Sequence, residues 1–218
     1  EILLRDFSLR TFTPIVISAV VASASIQGIL HDQAIFQLGS DFMAQEGEFR
    51  MAYMPAYILL GLACGVVGAT FIRSLDVSSR IFAKLPGPIW TRPAFGGMML
   101  AILGLCYMLV MGPELPMFYG NGYSEITTLL TPTSYSDNPD AAPIGLLMLG
   151  LLALLIMKLV GTCLTLGSGG AGGMFAPSLM MGALIGGMLG LSLEWVGLLE
   201  HGTPARFAIV GMAAMVAS

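Results

Sequence analysis

The sequence predicts an all-α, polytopic membrane protein. Three observations carry that prediction. Of 218 residues, 56% are hydrophobic and only 10% charged, against about 25% charged in an ordinary soluble domain. The mean hydropathy is +0.85. The few charges are clustered, and the gaps between them have the length of a bilayer span, about 20 residues. Such a composition excludes a disordered chain. It leaves too few charges to cover a soluble domain of this size. The net charge of −4 leaves no basic surface for nucleic acid.

The elements follow from the charge-free stretches 11–30, 51–72, 93–113, 141–157 and 159–193. Spans are expected near 12–30, 55–75, 94–112 and 143–166. Pro14, Pro55, Pro143 and Pro204 sit near helix starts, where a missing N–H costs little. The run 159–193 is too long for one span and is broken by glycines. It reads as the end of one helix, an unwound loop and the start of another. A further helix begins near Pro204. The stretch 131–143 (TPTSYSDNPDAAP) reads as a polar loop. The chain opens on Glu1 and closes at Ser218 within an apolar run, so a piece of a longer protein is expected, with elements missing at both ends.

Loop charge predicts an orientation. Segment 73–92 holds Arg73, Arg80, Lys84 and Arg92 against Asp76, whereas 113–140 holds Glu114, Glu125, Asp137 and Asp140 and no cation. The positive-inside rule places 1–10 and 73–92 in the cytoplasm, and 31–50 and 113–140 outside.

The stretch Gly167-Ser168-Gly169-Gly170-Ala171-Gly172-Gly173-Met174-Phe175-Ala176-Pro177 carries the functional signal. It matches G-x-G-x-x-G, but the dinucleotide fingerprint needs a short strand before it in a βαβ unit. The residues upstream here form an apolar run of membrane length. No Walker lysine follows. Irregular backbone at bilayer depth is tolerated where it is buried in protein or lines a polar cavity. A helix starting there presents unpaired N–H groups and the positive end of its dipole, which suits an anion without any basic side chain. The competing reading is a packing loop. Gly182, Gly186, Gly187 and Gly190 have the small-xxx-small spacing of helix contacts.

These residues resemble a known family. GSGGAGGMFAPS followed by LMMGALIGGMLG is similar to the G-x-F-x-P region of CLC chloride channels and proton-coupled chloride transporters. MKLVGTCLTLGSGG, EILLRDFSLRTFTPIVIS, GNGY at 120–123 and PARFAIVGMAA at 204–214 extend the likeness over nearly the whole chain. The resemblance implies an inverted-repeat helical fold, with residues 1–218 forming part of a single transmembrane domain. It implies a multi-pass protein of the plasma membrane (the inner membrane, if bacterial). It implies chloride as transported ligand, no cofactor, and a homodimer whose interface includes residues near 1–30. The anion would be held by backbone amides of Met174 and Phe175, framed by Gly173, Ala176 and Pro177. Gly167, Ser168, Gly169, Gly170 and Gly172 would support the loop. The family's G-S-G-x-P and G-[KR]-E-G-P motifs and its late tyrosine are absent from these residues, so this piece is not expected to conduct alone.

The resemblance also aligns Glu1 with a pathway glutamate. Proton-coupled members usually carry a second glutamate next to it. Here the neighbour is Ile2, which cannot relay protons. A passive, voltage-gated-type channel is therefore favoured, with proton-coupled exchange as the alternative and a non-transporting membrane scaffold as a reading of another class.

Lys158 is the one charge between Asp140 and Glu194. Two readings stay open: an intramembrane pathway cation, or a lysine snorkelling from a helix end. Arg73 and Arg80 read as solvated or lipid-facing, His31 and His201 as interfacial, and Trp90 and Trp195 as an aromatic belt. Cys64, Cys106 and Cys163 lack metal-ligand spacing and read as small buried hydrophobes. No arrangement of catalytic residues is visible, so an enzyme is not expected.

Overall fold

The computed structural model describes residues 51–88, 90–112, 115–131, 144–198 and 203–218, together with scattered helical positions between 14 and 25. Among the described residues there is no strand. The expectations placed on Glu1, Ile2, His31, His201, residues 31–50, most of 131–143 and most of the first span lie outside them. By contact, residues 1–37 and 38–218 form two units. Every element described below belongs to the second.

A single 3₁₀ turn, Met51–Tyr53, leads into helix α1 (Met54–Ala83), with Pro55 in its first turn. At 30 residues this helix is about 45 Å long, well beyond a hydrocarbon core of about 30 Å. The sequence ends it near residue 75. The charges after 72 are compatible with more helix, because Asp76 and Arg80 form an i,i+4 pair at 2.8 Å. Most of the expected cytoplasmic loop is thus the overshooting end of α1.

After α1 the chain turns through Gly87 at φ 127°. Arg92 donates from Nη2 to the carbonyl of Ala83 at 3.2 Å, a cation on the negative end of the helix. Helix α2 (Thr91–Met111) follows and ends at Gly112. A short helix, α3 (Tyr123–Leu129), lies inside the stretch expected to be an external loop. Helices α4 (Ile144–Gly167), α5 (Phe175–Trp195) and α6 (Thr203–Ala217) complete the described residues.

Four helices, α1, α2, α4 and α5, are long and apolar enough to cross a membrane. The expected spans 55–75, 94–112 and 143–166 coincide with α1, α2 and α4. The expected second half of the glycine-broken run is α5, and the helix expected near Pro204 is α6.

Helix α5 is the core. It is the most buried of the four and pairs most extensively with α6. Lipid supplies no hydrophobic drive between helices, so close van der Waals contact must hold them. A Cβ on Gly182 would strike the Gly211 carbonyl, one on Gly186 the Phe207 carbonyl, and one on Gly190 the Pro204 backbone. The small-residue stripe is therefore a helix–helix seam. Tyr57 of α1 stacks on Phe207 with ring centroids 4.9 Å apart. Cys64 and Cys163 are buried as expected, but Cys106 is exposed: it lies on an outward face of α2. Trp90 and Trp195 are exposed, as an interfacial belt requires.

Candidate anion site

The unwound loop begins one residue later than Gly167. Gly167 is the last residue of α4, buried against Ser78 of α1, whose hydroxyl donates to the Cys163 carbonyl at 2.7 Å. Ser168 is buried too. Its hydroxyl turns back to the Thr165 carbonyl, and its side chain fills the space left by Gly96.

The next two glycines stop the helix. Gly169 N donates to Leu166 O at 3.0 Å and Gly170 N to Thr165 O at 2.9 Å, with Gly169 at φ 87°. This is the Schellman pattern, whose left-handed residue favours glycine. At Gly170 a Cβ would lie 2.7 Å from the Thr165 carbonyl. Half of the glycine run thus exists to end α4 abruptly within the protein.

The chain then runs through Ala171, Gly172 and Gly173 to the start of α5. Met174 is the N-cap, in the right-handed helical region at φ −89°, and no side chain caps this end. The first N–H groups of a helix have no partner within it. Pro177, in the first turn, has no N–H to leave unpaired. The donors at this end are therefore the amides of Met174, Phe175 and Ala176.

Phe175 and Ala176, which carry two of these amides, line a cavity of about 700 Å³. One wall is Gly172, Gly173, Phe175, Ala176 and Pro177. The same cavity is lined by the turn Phe118–Asn121 with Tyr123, and by Lys158, Gly161, Thr162 and Thr165 of α4. Met174 caps the helix without lining the cavity, and Gly167, Ser168, Gly169 and Gly170 are not among its lining residues. Met174 and Phe175 are 52% and 62% exposed.

Lys158 is not a snorkelling lysine. It stands about 21 Å from the start of α4 and about 14 Å from its end, and is only 2% exposed. Its ammonium donates to the carbonyls of Phe118 at 3.1 Å and Gly120 at 2.9 Å. The expected external loop therefore folds back, at Phe118–Gly120, to the middle of a membrane-length helix. The carbonyls of this turn have a donor and the turn lines a cavity, the conditions under which irregular backbone is tolerated within a membrane. Sequence reasoning missed this turn. Its signal was GNGY: Gly120 and Gly122 both adopt positive φ, 65° and 78°.

A family model described as voltage gated chloride channel matches residues 1–218. The chain belongs to this family. It is 30% identical to the chloride channel protein CLC-f of Arabidopsis thaliana, over 95% of this chain and 25% of that protein. It is 28% identical to the voltage-gated ClC-type chloride channel ClcB of Escherichia coli O81, over 100% of this chain and 46% of that protein. The chain thus spans less than half the length of these relatives. As a CLC-family chain with four membrane-length helices, it is part of an integral membrane protein. Among the described residues no group of His, Cys, Asp and Glu could hold a metal ion.

Proposed function

We propose that the full-length protein moves chloride across a membrane and that the cavity between α4, α5 and the Phe118–Tyr123 turn is part of the path. The observation that carries this reading is the uncapped N-terminus of α5 opening onto that cavity. The amides of Met174 and Phe175, extended by Ala176, replace part of the water around the ion. Aligned peptide dipoles supply about half an elementary charge at such an end. A partial charge suits a permeating ion, which must leave as readily as it enters. Gly172 and Gly173 leave the approach free of side chains. Lys158, which lines the same cavity, adds positive potential, held back by its two carbonyls. No cofactor and no covalent chemistry enter this account.

A passive channel is the version proposed, with Ile2 in place of the second acid as its motive. The protein acts as a homodimer, with residues near 1–30 at the interface. The reversal potential of the full-length protein under a proton gradient tests the transport mode. A channel gives a value that follows the chloride gradient and ignores pH. A value that moves with the proton gradient establishes coupled exchange instead.

A further inference from the structure

We propose that Lys158 is a positioning residue that sets the width of the anion path by fastening the re-entrant turn. This inference rests on the reading of the cavity as part of that path. The turn Phe118–Asn121 lines the same cavity as Phe175 and Ala176 of α5. Two of the three ammonium protons are spent on its backbone, at Phe118 O and Gly120 O. Neutral carbonyls accept both bonds, so the contact holds a place in the backbone more than it neutralises a charge.

Other contacts anchor the flanks of the turn. Tyr119 donates from its hydroxyl to Leu100 O at 2.7 Å, and its ring occupies the space above Gly104. Gly122 lies against the Met180 side chain of α5. Gly120, between these anchors, has open space around its Cβ position. Its left-handed φ of 65° is thus the reason for glycine there, and that conformation presents its carbonyl to Lys158. Lysine and glycine act as one device. Releasing either lets the wall move away from the amides and admits larger anions.

The test is the thiocyanate-to-chloride permeability ratio of the full-length protein and three variants. Lys158→Met removes both bonds. Gly120→Ala disturbs the turn with every charge kept. Lys158→Arg keeps charge and donors. The ratio is expected to rise about tenfold in Lys158→Met, the scale on which a pocket discriminates one methylene. It rises in the same direction in Gly120→Ala and stays within about twofold of wild type in Lys158→Arg. The inference is overturned if Lys158→Met lowers the flux of all anions equally at an unchanged ratio, because Lys158 then acts through charge alone. An unchanged ratio in Gly120→Ala also overturns it, and that variant decides the matter should Lys158→Met fail to fold. A wild-type protein with no anion flux removes the underlying reading instead, and is recognised before any variant is compared.

Discussion

At the residue scale, Phe175 is the sharpest test of the site. Its amide is a first-turn donor without an intrahelical partner, and a hydrogen bond to a charged group contributes about 1.5–3 kcal/mol. Replacing that one peptide N–H by an ester oxygen in the full-length protein should weaken chloride binding about 10- to 100-fold, read by titration calorimetry. A proline at 175 would be a poorer probe. It disfavours helical backbone at the preceding residue, and Met174 is helical. Gly169 has a different role. As the left-handed residue that ends α4, its change to alanine should cost about 1–2 kcal/mol, seen as a lower unfolding midpoint in detergent. Chloride affinity measured on the folded fraction should change little, since Gly169 does not line the cavity.

At the element scale, the spans were legible because membrane helices advertise themselves by missing charge. Residues 94–112 and 143–166 match α2 and α4 within a few positions. The overshoot of α1 was not legible, since Arg73, Asp76 and Arg80 look the same in a loop and on a solvated helix end. Helix α3 was hidden because YSEITTL is short and mixed, with no periodicity to read. The anion-loop glycines were visible as a group, yet their division into helix stop and cavity wall depends on individual φ angles. The Lys158 contact joins residues 38 and 40 positions apart, and no local pattern announces it. The glycine spacing on α5 marked a helix contact, though not its partner α6, and the seam makes a firm prediction. Gly186→Ala should destabilise the protein by about 1–3 kcal/mol through overpacking, measured as a shift in thermal unfolding of the detergent-solubilised protein. Gly150→Ala, at a position with open space around it, should not.

At the scale of the whole molecule, scarcity of charge fits both the lipid solvent and the proposed mechanism. Most of the exposed large apolar side chains among the described residues lie on α1, α2 and α4, where lipid or further helices can meet them, and one buried cation lies beside the cavity. A site made of amides and one tethered ammonium can attract an anion without holding it fast. The most direct test of this central claim is anomalous diffraction from crystals of the full-length protein grown in bromide. The account predicts a bromide peak within hydrogen-bonding distance of the Phe175 amide, on the cavity side of α5. Strong bromide peaks elsewhere along the path, with none at the start of α5, would contradict it.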